Sequence, residues 1–341
     1  MKIVTGANGL VGSYLLAELL TRGHRVRALK RKNSETKWTE FLLKDRFGPE
    51  SEQILRRLEW ADWDISDLFS LTDQLDGVDE LYHCAAMVSF QRSDRESLVE
   101  INAIGTRNVV DALLTADHDI ALCHISSTAA VGRQGNTPTH EDMDFQWDSD
   151  HSFYGLTKHL AEMEVERGRQ EGLNAAILNP SVIIGFTDLK RGSGQIIGQA
   201  LGGIPFVSSG SNGVVFAGDV SRAAAELMER KQFAGRFLCV GGHDSFAKQR
   251  RLLHLAFNKR PSVYVAPDWL IRLVGNFCGL LNRLGLTLPL TPEIARSAIS
   301  NNRFDTSRIR NELNFEFTKP EEAYDRSVQC FQRFLQTEKS R

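Results

Sequence analysis

The stretch SFYGLTKHLAE (Ser152 to Glu162) places Tyr154 and Lys158 four residues apart, and among the five tyrosines only Tyr154 has a lysine at that distance. On a helix, i and i+4 share one face about one turn apart. A tyrosine can hand a proton to a carbonyl oxygen, or take one from an alcohol, if its pKa falls from about 10 toward working pH. A lysine ammonium one turn away favours the tyrosinate. Such a spacing is common by chance, so its surroundings decide. HISSTAAVG precedes it and AAILNPSVII follows it. The first offers Ser126, Ser127 and Thr128 at the C-terminal end of a strand, where sites in α/β proteins lie and where a hydroxyl can hold a substrate oxygen. Consecutive hydroxyl residues at a strand end are also ordinary turn chemistry.

A proton carrier implies a partner that carries electrons. TGANGLVG puts Gly6, Gly9 and Gly12 between a short strand and a helix opening, with Asn8, Leu10 and Val11 among them. Glycines at this spacing allow a tight turn, close backbone approach to a pyrophosphate and close helix packing, while the helix N-terminus faces the negative charge. At the end of the second strand a carboxylate would bind a ribose 2′-hydroxyl and a basic residue a 2′-phosphate. RALKRKNS has Lys30, Arg31 and Lys32 and no acid. Arg31, with its planar fork, is the best candidate, so NADP is preferred, with NAD possible.

Strand candidates KIVT, HRVRAL, WADWDI, DELYHCAA, ALCHISS, AAILNPSVII and RFLCVGG alternate with helical patterns, notably Glu96 to Ala116, Phe153 to Gln170 and DVSRAAAELMER. Leu15, Leu19 and Leu20 mark the apolar side of the first helix, and Gly23 its stop. This alternation predicts an α/β fold: a Rossmann-type doubly wound parallel sheet with a smaller C-terminal substrate-binding lobe. Residues 1–178 plus about 215–245 are expected to form the nucleotide-binding domain, and about 179–214 plus 246–341 the smaller lobe. The Gly-rich run GSGQIIGQALGGIPFVSSGSNGVV is expected to be mobile.

The ordered set TGANGLVG, WDI, YHCAA, NAIGTRNVV, HISSTAAVG, YGLTK and LNPSVIIG resembles the extended short-chain dehydrogenase/reductase superfamily, also described as the NAD-dependent epimerase/dehydratase family. The resemblance covers nearly the whole chain. CAAMVSF, NAIGTRNVVDAL and VRALKR are most similar to the dihydroflavonol-reductase and 3β-hydroxysteroid-dehydrogenase branch. It implies that Asp64 and Ile65 hold the adenine, that Ala85 and Ala86 line the cofactor path, and that Pro180 and Val182 pack near the nicotinamide. It selects Ser127 as the oxygen-binding hydroxyl, with Thr128 the alternative, and makes Asn102 the support of a helix irregularity and a water near Lys158. It further implies homodimerisation through Glu96–Ala116 and Phe153–Gln170. The arginine that nucleotide-sugar epimerases carry is missing from NGVVFAGDVSRA. Hydride transfer between NADP(H) and a carbonyl or alcohol, with Tyr154 as acid or base, is therefore the expected function. A nucleotide-sugar epimerase or dehydratase with retained NAD, and a regulatory protein that binds cofactor without turnover, are the alternatives.

Composition limits the partners. A net charge of −2 argues against nucleic acid binding through a global basic field. The five scattered cysteines give neither zinc spacing nor a disulfide framework, and no trustworthy metal spacing involves His83, His124 or His159. No apolar run reaches the roughly 18 residues of a membrane span, and no secretory signal is read at the N-terminus, so a cytoplasmic setting is expected. Met87, Val88, Ser89 and Phe90 are candidates for lining a substrate pocket. In PDWLIRLVGNFCGLLNRLGLTLPLTP, Leu270, Leu273, Val274, Phe277, Leu280, Leu281 and Leu284 form one helical stripe. A core or lid helix is the expectation there, with a membrane-surface helix as the alternative.

Overall fold

The computed structural model describes the chain apart from residues 134–136, 148–150, 191, 203–205, 262, 284–287, 289–290 and 340–341, and the side chain of Arg283. Leu284 of the C-terminal stripe lies outside the described residues. The first half alternates strands β1 (Lys2–Thr5), β2 (Val26–Lys30), β3 (Leu58–Asp62), β4 (Glu80–His83), β5 (Ala121–Ile125) and β6 (Ala175–Pro180) with helices. These are α1 (Leu10–Thr21), α2 (Lys37–Phe47), α3 (Ser51–Leu55), α4 (Leu68–Thr72), α5 (Arg95–Leu98), α6 (Gly105–Leu114) and α7 (Phe153–Gln170). Then follow β7 (Val182–Ile184), α8 (Gly194–Leu201), β8 (Phe206–Val207), β9 (Ser211–Phe216), α9 (Ala217–Glu229), β10 (Arg236–Cys239) and β11 (Gly242–Ser245). Last come α10 (Phe246–Ala256), β12 (Tyr264–Val265), α11 (Asp268–Arg283), α12 (Pro292–Ile299), α13 (Ser307–Leu313) and α14 (Pro320–Lys339).

Among the described residues, seven strands form one sheet in the order β10-β6-β5-β4-β1-β2-β3, every pair parallel. A parallel sheet must be covered on both faces, and its central strands β1, β4, β5 and β6 are accordingly buried along nearly their whole length. Leu15, Leu16, Leu19 and Leu20 of α1 and Val220, Ala224 and Leu227 of α9 cover one face. Val109, Val110 and Leu113 of α6 and Val165 of α7 cover the other. The chain leaves β1 in one direction and resumes at β4 in the other, so a crevice opens between them at the C-terminal strand ends. This is the Rossmann-type doubly wound sheet. A second sheet, β11-β9-β7, packs with α8, α10 and α14 around Ile184, Ile197, Val214, Leu253, Tyr324 and Val328.

Two sequence expectations change. Glu96–Ala116 is not one regular helix: α5 passes into a π turn over Val99–Ile104 before α6 begins. The stripe on α11 faces outward, with Leu270, Leu273, Val274, Phe277 and Leu280 all exposed. The packed edge is instead its glycine edge, where a Cβ at Gly275 would stand 2.4 Å from Ala295 Cβ. Close approach to α12, rather than side-chain size, orients this helix.

Candidate active site

The Gly-rich loop closes on itself. Gly9 N donates to the Gly6 carbonyl at 2.9 Å, and Gly6 has φ +59°, a conformation costly to side-chain-bearing residues. A Cβ on Gly12 would lie 2.3 Å from the Gly6 oxygen, and one on Gly6 2.8 Å from the Ala85 backbone. The loop, α1 and the β4 end are thus as close as bare backbone permits. Gly9 caps α1 without a side-chain hydrogen bond, and no acid stands in the first turn. The first amides of α1 remain available to an anion, so the cradle fits a dinucleotide pyrophosphate. Asn8 Nδ2 donates to Glu35 O at 3.0 Å, tying the loop to the segment after β2. Leu10 and Val11 turn their side chains into the fold, Leu10 toward Gly185 and Val11 onto the core.

At the end of β2, Lys30 Nζ pairs with Asp62 at 2.6 Å, whereas Arg31 is exposed with no ion pair among the described residues. Asp64 accepts from the Ser66 amide at 3.0 Å and hydroxyl at 2.7 Å; these bonds, with the more distant Arg31 charge, hold its carboxyl below the ordinary range. Ile65 packs against Gly105, and its carbonyl accepts from Asn108 Nδ2 at 3.0 Å. Arg31, Asp64 and Ile65 thus stand at the ends of neighbouring strands β2 and β3, beside the Gly-rich loop.

The β4 end is fixed by buried hydrogen bonds. Thr106 Oγ1 donates to the Asn102 carbonyl and therefore accepts from His83 Nε2 at 3.2 Å. His83 Nδ1 then accepts from Thr5 Oγ1 at 2.8 Å, and that oxygen accepts from the Cys84 and Ala85 amides, both at 3.1 Å. Burial, with the Lys158 charge nearby, pushes His83 down to about 3, so the ring stays neutral as this pattern requires. Asn102, in the π turn, clamps Met87: Oδ1 accepts from Met87 N at 2.8 Å and Nδ2 donates to Met87 O at 2.9 Å. The same Nδ2 donates to Thr157 Oγ1 on α7 at 3.0 Å. Ala86 and Val88 are exposed, as is Phe90, whose ring meets Tyr154 edge-on at 6.1 Å. Ser89 is engaged within the loop, donating to Asp94 at 2.6 Å.

Ser152 caps α7, its Oγ accepting from Gly155 N at 3.0 Å, so Tyr154 falls in the first turn and Lys158 one turn on. Burial pushes the Tyr154 phenol up to about 12, and the neighbouring Ser127 hydroxyl opposes that rise. Ser127 Oγ also accepts from Ala129 N at 3.1 Å, whereas Thr128 is buried in the turn that follows. Lys158 is buried; its Nζ donates to the Ile125 carbonyl at 2.9 Å and lies 3.4 Å from His124 Nε2. Burial lowers Lys158 to about 8, with Glu162 and Cys84 opposing. The structure departs here from the expectation that Lys158 lowers the Tyr154 pKa, because the ammonium is committed to the β5 end and burial governs the phenol.

One group escaped the sequence reading. Glu162, one further turn along α7, is buried and accepts from Ser126 Oγ, from Asn179 Nδ2 at 2.5 Å and from Arg236 Nη1 at 3.0 Å. The second i+4 step within SFYGLTKHLAE was its signal. Pro180 ends β6 and Val182 opens β7, where Val182 packs against the cluster around the second sheet.

A doubly wound sheet, a phosphate cradle at its switch point, and a hydroxyl, phenol and ammonium at the next strand end define a dinucleotide-binding protein of the oxidoreductase type. The family model for the NAD dependent epimerase/dehydratase family matches residues 2–238, and the chain belongs to that family. It is 29% identical over 338 residues to sterol demethylase protein B of Methylococcus capsulatus, covering 96% of this chain and 97% of the relative. It is 31% identical over 262 residues to a putative dihydroflavonol 4-reductase of Synechocystis, covering 74% and 71%. The crystal structure of gox2253 superposes with a TM-score of 0.80 at 27% identity, covering 98% of both chains. The chain is an enzyme of the extended short-chain dehydrogenase/reductase type.

Proposed function

We propose that this enzyme reduces the carbonyl group of a weakly polar small molecule with NADPH. The observation that carries the reading is the placing of Ser127 at the end of β5 and of Tyr154 in the first turn of α7, one helical turn from buried Lys158. A bound nicotinamide dinucleotide would supply the hydride. Ser127 orients the substrate oxygen. Tyr154, whose phenol keeps its proton to about pH 12, is in the state needed to donate that proton to the developing alkoxide, which favours the reductive direction. Lys158 holds a positive charge below about pH 8 and would orient the ribose of the bound dinucleotide. The Gly6–Gly12 cradle would hold the pyrophosphate, Asp64 and Ile65 the adenine, and Ala85, Ala86, Asn102, Pro180 and Val182 the path toward the nicotinamide. Met87 and the exposed Val88 and Phe90 would receive the substrate's apolar part. The likeness to dihydroflavonol 4-reductase and sterol demethylase protein B supports an apolar ring ketone as substrate class.

Arg31 supports the choice of NADP, because Lys30 is already paired with Asp62. Arg31→Ala should weaken NADPH binding by roughly ten- to a hundredfold, the loss of one charge-assisted phosphate contact, and leave NADH binding unchanged. Equal loss for both would remove the 2′-phosphate assignment. Tyr154→Phe should lower turnover by roughly a hundredfold or more while the NADPH dissociation constant holds. Wild-type turnover in that variant would sink the mechanism. NAD released from the purified protein on denaturation, without net NADPH consumption on a carbonyl panel, would point to epimerisation instead. We further propose a homodimer formed through α6 and α7, and a reducing, cytoplasmic setting consistent with five free cysteines.

A further inference from the structure

Helix α11 turns its large side chains away from the protein. Trp269, Leu273, Phe277 and Leu280 share one side at 3.6 residues per turn and are 66, 59, 59 and 55% exposed, opposite the glycine edge that meets α12. The apolar surface runs on into the preceding strand pair. Phe206 of β8 and Tyr264 of β12 pack with ring centroids 6.0 Å apart, and both are exposed. Ser209 Oγ donates to Asp268 at 2.5 Å, fixing this edge to the start of α11. An exposed apolar surface of this extent marks an interaction site.

Its charge selects the partner. Residues 246–299 contain eight lysines and arginines against two acids, a formal +6 on a chain of net −2, so the remainder carries −8. Both acids are engaged, Asp268 by Ser209 and Glu293 by Arg95 at 3.0 Å, and of the cations Lys248 is paired with Asp244 and Glu321 outside this stretch, which leaves the positive surface to the others. Arg272 is exposed on the flank of the α11 face, Lys259 and Arg260 before β12, and Arg251 one turn from exposed Leu255 on α10. A second copy docked on this face about a two-fold axis would set this positive surface against itself. A helix with Trp, Phe and Leu on one side and arginine beside them suits the plane of a lipid interface, where anionic headgroups meet the cations. No described helix is long and apolar enough to cross a membrane, so the helix would lie along the surface.

We propose that α11 and the β8–β12 edge dock this enzyme onto an anionic lipid bilayer. Docking brings the mouth of the candidate site to the membrane surface. Asn282, near the end of α11, accepts from Leu288 N at 2.7 Å, and the Leu288 carbonyl accepts from Gln91 Nε2 at 3.2 Å. Gln91 follows Phe90, the residue that packs on Tyr154.

The test is co-sedimentation of the full chain with vesicles of phosphatidylcholine alone and of phosphatidylcholine mixed equally with phosphatidylglycerol. Turnover plays no part in this readout, so its result is independent of the proposed reduction. Binding to the mixed vesicles should be at least about tenfold stronger than to the neutral ones and should weaken with salt. The surface variant Leu273→Glu/Phe277→Glu, with unchanged circular dichroism, should lose binding to both. Arg272→Glu, which leaves the apolar face intact, should lower only the preference for phosphatidylglycerol. Failure to bind either vesicle would overturn the proposal, as would binding that survives Leu273→Glu/Phe277→Glu. A lipid-free oligomer dissociated by that double variant would also overturn it, by assigning the face to contact between copies.

Discussion

Lys158 holds its charge against its surroundings. Burial lowers its pKa from an ordinary 10.5 to about 8, so between these values the unfolded chain keeps a proton that the native chain releases. Stability therefore rises with pH across that window, and the full penalty of burying the ammonium is present below about pH 8. Lys158→Met should remove this dependence. The gain in unfolding free energy between about pH 8 and pH 10 should be smaller in the variant by roughly 2 kcal/mol, read from urea midpoints at the two values. An unchanged gain would show that Lys158 is solvated and keeps an ordinary pKa in the native chain. The fold retains a residue that destabilises it, which is what a charge kept for chemistry, rather than for packing, would look like.

At the scale of elements, the site is assembled by polar side chains that reach between strands and helices. Glu162 joins α7 to Ser126 after β5, to Asn179 on β6 and to Arg236 on β10. Burial raises its pKa although three donors surround it, so the carboxylate depends on all of them. Glu162→Ala leaves Arg236 without its partner and the buried Ser126 hydroxyl without its acceptor, while Asn179 keeps only its bond to the Ser127 carbonyl, and should cost about 3–5 kcal/mol in urea denaturation. Glu162→Gln should recover part of the loss. A cost below about 1 kcal/mol for alanine would mean that water replaces the carboxylate readily. Such links explain what was legible in the sequence. The phosphate loop, the seven parallel strands and α7 follow from local patterns: glycine spacing, apolar runs and an N-capping serine. The π turn was legible only through the family resemblance at Asn102; periodicity does not show it, because Asn102 is placed by Met87 and Thr157, partners distant in sequence. The orientation of α11 was not legible either. Hydrophobic periodicity sends the leucine face inward, while Gly275 and Gly279 let α12 approach from the other side. Glu162 stood in plain view, but a carboxylate on a helix reads as solvated until three strand ends are known to converge on it.

At the scale of the molecule, the catalytic helix also has an outer face. On α7, Leu160 and Met163 are 38 and 54% exposed and lie three residues apart, hence on one side of the helix. Ile104, at the start of α6, is also 38% exposed. Helices α6 and α7 pack together, so these apolar groups belong to one exposed layer over the sheet. The proposed homodimer would cover this layer, and a two-fold contact between paired helices would set Leu160 and Met163 of each chain near the interface centre, where truncation costs most. It would also brace the helix that carries Tyr154 and Lys158 from behind. Sedimentation velocity should therefore show a dimer for the wild-type chain. Leu160→Glu/Met163→Glu should weaken that dimer by roughly a hundredfold or more, since it buries like charges at the centre. The α11 variant Leu273→Glu/Phe277→Glu should leave the dimer intact, because its face is separate. A monomeric wild-type chain at micromolar concentration would end the assignment, and a dimer sensitive only to the α11 variant would move it to the other face. If the dimer forms through α6 and α7, its dissociation should lower turnover more than it lowers cofactor affinity, because the bracing acts on Tyr154 and Lys158 rather than on the Gly6–Gly12 cradle.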